Sequence, residues 1–147
     1  MVPQLEQLLI KYPGKVKVVF KNFPIRSHKY ALKAAMAALA AEPLGKFWEF
    51  HDTLFNNYNR LNDQKIQEIV KILGLDETKF KEQQRNPAIT ERIRQDYEEG
   101  IRIGVRGTPT IFINGKKLRD RGVQSMEAAI EKELQKQQEK SQEETAQ

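Results

Sequence analysis

The chain contains two histidines, and each has neighbours that suggest chemistry. His51 stands between Glu49 and Asp52 in an aromatic stretch. His28 directly follows Ser27. Imidazole and carboxylate groups are zinc ligands, and a serine with a histidine is the pair used in nucleophilic catalysis. Two histidines without a third ligand at a recognisable spacing make a poor zinc site, and neighbours in sequence need not touch in space. We expect no metal site and structural roles for both histidines.

The chain of 147 residues contains no cysteine. This excludes disulfides, thiolate metal sites, iron–sulfur clusters and a cysteine nucleophile, because each of these needs the sulfur of a cysteine. The length is typical of one domain, and 39% hydrophobic with 31% charged residues is the composition of a folded globular protein. No cofactor is indicated by any motif.

A proline loop followed by a hairpin gives the clearest local signal. Gly-Thr-Pro at residues 107–109 precedes an apolar run, so Pro109 is well placed for a cis peptide bond with Thr108 exposing its backbone. Asn114-Gly115 then separates residues 110–113 from 116–119, which predicts an antiparallel hairpin with a type I′ turn. The loop is either a structural turn or a contact for a ligand.

The formal net charge is +5, with 25 basic and 20 acidic residues. Basic residues concentrate around the proline loop and the hairpin: Arg102, Arg106, Lys116, Lys117, Arg119 and Arg121. They could attract an acidic peptide or phosphates, but no nucleic-acid motif accompanies them, so we expect a solvated edge and no nucleic-acid partner. The longest apolar run, residues 34–41, is far shorter than the roughly 20 residues of a membrane span. Without a leader-like start, the chain as encoded is predicted to be cytoplasmic and not membrane-bound.

Apolar spacing and capping residues predict the elements that position these features. A valine-rich run at residues 16–20 is typical of a strand covered on both faces. The predicted helices cover about 5–12, 28–41, 47–55, 63–73, a short turn around Phe80, 87–103, and 125–140 with Ser125 as N-cap. Residues after about 140 are expected to fray.

Several separate segments carry a resemblance to a known family. They read F-K-N-F-P at 20–24, a histidine and an alanine run at 28–41, G-K-F-W-E-F-H-D at 45–52, L-G-L-D at 73–76, and G-V-R-G-T-P-T at 104–110 with N-G at 114–115. In this order and spacing, from about residue 3 to 135, the chain resembles the DsbA-like thioredoxin-fold family. The resemblance implies an α/β, thioredoxin-like fold with a DsbA-type helical insertion at about 28–104. The domain expected is a single one over residues 1–140, with a frayed polar tail at 141–147.

The family performs thiol–disulfide exchange on cysteines of other proteins. It begins with one further core strand and a Cys-x-x-Cys pair, at the start of the helix whose later turns look like residues 3–12 here. Both are missing from this chain, so the resemblance supplies no catalytic residue. We expect the chain as written to be redox-inactive, with a truncated or mis-started N-terminus.

The resemblance also implies a site for protein or peptide substrates in extended conformation. The main chain of Thr108 would pair with the peptide, and Pro109, Gly107 and Val105 belong to the same loop. The groove or structural residues implied are Phe47, Trp48 and His51. The alternative to an oxidoreductase is a redox-silent binding module, perhaps a homodimer that fills the gap in its sheet by strand exchange.

Overall fold

The computed structural model describes residues 2–145. The chain divides into two compact units. The helical unit is Lys21–Gly107, and the terminal unit combines the residues up to Phe20 with those from Thr108 onward. The helical unit covers nearly the same residues as the predicted insertion at about 28–104, while the single domain over residues 1–140 stays a prediction.

The elements follow the predicted order closely. In chain order they are α1 (Val2–Lys11), α2 (Ala31–Ala41), α3 (Phe47–Asn56), a 3₁₀ turn (Tyr58–Arg60), α4 (Asp63–Ile72), α5 (Glu77–Gln84), α6 (Pro87–Arg102), β1 (Phe112–Ile113), β2 (Lys116–Lys117) and α7 (Val123–Thr145). No helix among the described residues is both long enough and apolar enough to cross a membrane.

The helical unit is built around α2. Its alanines are small, so α3, α5 and α6 pack closely on it and bury Ala37, Ala40 and Ala41 completely. Phe50 of α3 and Phe80 of α5 fill the same core. The side-chain caps are local: Asn62 accepts a hydrogen bond from the backbone N–H of Lys65, and Asp76 and Asn86 cap α5 and α6 in the same way.

The terminal unit packs α1 against α7. Leu8 and Tyr12 meet Met126 and Ile130 in a separate apolar cluster, to which residues of the hairpin contribute. The Tyr12 hydroxyl donates a hydrogen bond to Glu131 of α7 at 2.8 Å. These contacts join the two ends of the described chain.

An acidic side chain on α7 holds the hairpin. Glu133 accepts hydrogen bonds from Lys116 at 2.7 Å, Lys136 at 2.8 Å and Asn114 at 3.3 Å. Lys116, with Lys136 and Asn114, lowers the pKa of Glu133 to about 2. The carboxylate therefore stays charged across the physiological pH range.

The hairpin turn is confirmed and its strands are shorter than predicted. Asn114 and Gly115 have φ of 46° and 77°, the two positive values that a type I′ turn needs. The strands pair Phe112 with Lys117 and Ile113 with Lys116. Only two residues a side form strand, where four were expected.

The strand predicted at residues 16–20 is wrong. The described residues form one sheet, the β1–β2 hairpin, so residues 16–20 have no strand to pair with. Their side chains alternate between half-buried and exposed, and Val19 is 65% exposed. This valine-rich segment is therefore neither a strand nor buried on both faces.

Helix ends differ from the prediction at three places. Residues 28–30 form a turn before α2, in which the His28 N–H donates to the Ile25 carbonyl. Ser125 lies inside α7 and donates to Asp120, whose other oxygen accepts the Gly122 N–H, so the capping carboxylate is Asp120. The helix continues through Thr145, where a frayed tail was predicted from residue 141; residues 146 and 147 lie outside the described part.

Candidate functional site

The proline loop belongs to the terminal unit. The Thr108–Pro109 peptide bond is cis, which confirms the prediction, and both residues are exposed. Behind the loop, the Leu118 N–H donates to the Ile111 carbonyl at 2.9 Å and ties the loop's exit to the hairpin. The Arg121 guanidinium donates to the Pro109 carbonyl at 3.5 Å. The exit of the loop is therefore tied to the hairpin, while Thr108 and Pro109 themselves are exposed.

Val105 and Gly107, the two predicted peptide-binding residues that belong to the helical unit, differ from Thr108 and Pro109 in their exposure. Val105 is buried, and its N–H donates to the Gly100 carbonyl at 2.8 Å. Gly104, with φ of 79°, donates to Ile101, so these residues close α6 in a Schellman motif. Gly107 is half-buried. The backbone N–H of Val105, one of the predicted peptide-binding residues, is thus used within the helix end.

The predicted groove residues lie together on α3. His51 is 6% exposed, and its ring contacts Phe47, Trp48 and Phe55 with centroid distances of 5.8, 5.5 and 4.6 Å. Its Nδ1 lies 2.8 Å from a carboxylate oxygen of Asp52. Trp48 is 43% exposed and Phe55 53%. The face combines a buried histidine with two rings that are open to solvent.

The metal and nucleophile interpretations find no support in the geometry. Within the described part of the chain, no three carboxylate or imidazole side chains come close enough to hold a metal ion. His51 pairs with Asp52, and His28 lies in the turn before α2. His51 is buried, whereas His28 is exposed, and the structural roles of the two histidines stay a prediction.

The helical unit contains a buried polar contact that the sequence motifs do not indicate. Asp96 of α6 accepts hydrogen bonds from the backbone N–H of Asn22 at 2.9 Å, from its side chain at 3.0 Å, and from Lys21 at 3.2 Å. Burial raises the pKa of Asp96, but the hydrogen bonds from Asn22 and then Lys21 outweigh it, and the net pKa lies below its usual value. One sequence feature could have indicated this contact: Asp96 lies on the same face of α6 as the apolar residues Ile89 and Ile93.

An aromatic contact sits beside this one. The rings of Phe23 and Tyr97 stack with centroids 4.6 Å apart. A methyl group on Gly100 would lie 2.8 Å from the Phe23 ring, so the missing side chain makes room for the stack. Together with Asp96, these contacts anchor residues 21–23 on α6.

Comparison with known proteins decides the family. A family model described as thioredoxin matches residues 1–132. The chain belongs to the DsbA-like thioredoxin family. Its structure matches that of the thiol-disulfide exchange protein alpha-DsbA2 from Wolbachia pipientis with a TM-score of 0.76 and 28% identity, covering 88% of this chain and 71% of that one.

The chain matches only part of the length of two sequence relatives. It is 29% identical to a probable disulfide bond formation protein D of Bacillus cereus, over 92% of this chain and 66% of that protein. It is also 35% identical to a segment of the Na(+)/H(+) antiporter NhaA 3 of Salinispora tropica, over 78% of this chain and 18% of the antiporter. This member of the DsbA-like family therefore spans less than two thirds of these relatives.

Proposed function

We propose that this chain binds extended segments of other proteins at the Thr108–Pro109 loop, and that its own residues perform no thiol–disulfide exchange. The observation that carries the proposal is that Thr108 is an exposed residue whose backbone N–H and carbonyl have no hydrogen-bond partner among the described residues. Because Pro109 has no N–H, Thr108 supplies the donor and acceptor with which a neighbouring extended peptide pairs.

The chemistry of the family limits what these residues can do. In thiol–disulfide exchange a thiolate attacks one sulfur of a disulfide, forms a mixed disulfide with it, and releases the second sulfur as a thiolate. The chain has no sulfhydryl group, and a hydroxyl forms no mixed disulfide. Any exchange near this loop must take its sulfur from outside these 147 residues. Insulin reduction by the purified chain is expected to stay at background.

The peptide site is tested at Thr108. Replacing Thr108→Pro removes the N–H donor but keeps the exposed position, and it is expected to weaken binding of an extended peptide about tenfold, as the loss of one hydrogen bond with its acceptor left unpaired does. Isothermal titration calorimetry with short peptides that lack cysteine measures the change.

The matched control is Thr108→Val, which keeps the backbone N–H and the branched shape. Its affinity should equal that of the original chain. Chemical-shift mapping on the unaltered protein gives an independent readout, because the Thr108 amide should shift on titration. Equal peptide affinity of the proline variant, or a Thr108 amide that does not move, contradicts the proposal.

We also propose a strand-exchanged homodimer, in which the segment around Val19 would pair with its counterpart in a second copy. Val19 is 65% exposed in this segment, and the described residues provide it with no strand partner. Pairing of two copies there would bring Lys15 and Lys17 close to the same residues of the second copy, so the dimer should strengthen when salt rises from about 50 to about 500 mM. Sedimentation velocity measures this, and Val19→Lys should shift the equilibrium to monomer. A monomer at both salt concentrations rules the dimer out.

A further inference from the structure

The segment that follows the hairpin turn, residues 116–121, is strongly basic. We call it the basic return: it carries four basic residues and one acidic residue. Lys116 is paired with Glu133 of α7, and Asp120 caps the start of that helix. Arg119 and Arg121 are exposed, so the excess positive charge of the basic return faces solvent.

Arg121 places one of these positive charges beside the proline loop. One guanidinium nitrogen, Nη1, donates to the Pro109 carbonyl at 3.5 Å. A guanidinium has five N–H donors in a planar fork, and this contact uses one of them at the long end of the hydrogen-bond range. Asp120, the adjacent carboxylate, accepts from Ser125, from Gly122 and from the backbone N–H of Arg121, and it also attracts the Arg121 charge. Arg121 can therefore turn most of its donors toward a molecule beside the loop.

The geometry points to Arg121 as a residue that determines which segments bind: we propose that it favours peptides with Asp or Glu next to the residue paired with Thr108. The inference rests on the proposed peptide-binding function. Paired strands lie about 4.8 Å apart, and Arg121 already contacts the residue next to Thr108, so its long side chain can extend to a peptide that lies beside the loop. The guanidinium fork matches a carboxylate with two parallel hydrogen bonds, and the remaining charge of the basic return draws an acidic segment in.

The test uses three peptides that differ only at one central position, which is Glu, Gln or Lys. The expected affinity order for the original chain is Glu, then Gln, then Lys, with the Glu peptide about fivefold tighter than the Gln peptide. Arg121→Gln should remove the difference between Glu and Gln, and Arg121→Lys should retain part of it, because lysine keeps the charge and loses the fork. Calorimetry measures each affinity, and thermal melts establish that the variants fold.

Arg119→Gln is the matched control, because it removes an equal charge from the same basic return. It should leave most of the Glu preference in place. If Arg119→Gln removes the preference as fully as Arg121→Gln, the discrimination comes from the general field of the segment and the role of Arg121 is refuted. If the three peptides bind equally, the inference fails while the peptide site stands. If none binds, the proposed function fails and the inference fails with it.

Discussion

Replacing Phe80→Ala is expected to lower the free energy of unfolding by about 4 kcal/mol, since truncation of a buried phenylalanine loses transfer energy and leaves a cavity. Phe80 is completely buried, and its ring stacks on that of Phe50 with centroids 5.4 Å apart and planes at 16°. The two rings join α5 to α3 in the core that α2 organises. Urea unfolding followed by circular dichroism measures the loss.

The control for this change is Phe55→Ala. Phe55 is 53% exposed, so the same truncation removes little buried area and is expected to cost less than about 1 kcal/mol. The pair of variants separates burial from the mere removal of an aromatic ring. Equal losses for Phe80 and Phe55 would show that the ring stack does not form the core of the helical unit.

Replacing Asp96→Ala is expected to cost about 3 kcal/mol, because it leaves buried donors without an acceptor. The groups that lose their acceptor are the backbone N–H and the side-chain amide of Asn22, which is 3% exposed. Lys21 keeps its contact with Glu99 at 3.0 Å and stays largely in water. Chemical denaturation at neutral pH measures the cost.

The effect of Asp96 should also depend on pH in one direction. Its folded pKa lies below its usual value, so its contribution is complete above the unfolded pKa of about 3.9 and is lost as pH falls through the folded pKa. The stability difference between the original chain and Asp96→Ala should therefore shrink in acid. Asp63→Ala, which removes an exposed partner of Lys33, should cost less than about 1 kcal/mol at any pH. A difference that does not change with pH would contradict the role given to Asp96.

Features with local causes were predictable from the sequence. The Asn114-Gly115 turn depends on residues within four positions and lies where the pattern indicates, and the caps Asn62 and Asn86 directly precede the helices predicted at 63–73 and 87–103. The family resemblance also rested on short local motifs, and the family model that matches residues 1–132 confirms the resemblance. The proline loop was found in this way, with its peptide-bond geometry.

Features that depend on distant partners were not predictable. Asp96 meets Asn22 across 74 positions, and nothing in either neighbourhood states that the two touch. Residues 16–20 have strand composition, yet a strand exists only where another backbone pairs with it, and composition carries no information on the partner. Val105 was predicted to belong to the peptide-binding loop, but its N–H donates a hydrogen bond to the Gly100 carbonyl at the end of α6.

Because the chain has no cysteine, the exposed Thr108 is a position that can be labelled selectively. A cysteine placed there would be the sole thiol in 147 residues, so any maleimide dye, spin label or disulfide-linked peptide would attach at that point and nowhere else. Since these 147 residues contain no other thiol, a bound polypeptide could be cross-linked to this single sulfur and then identified.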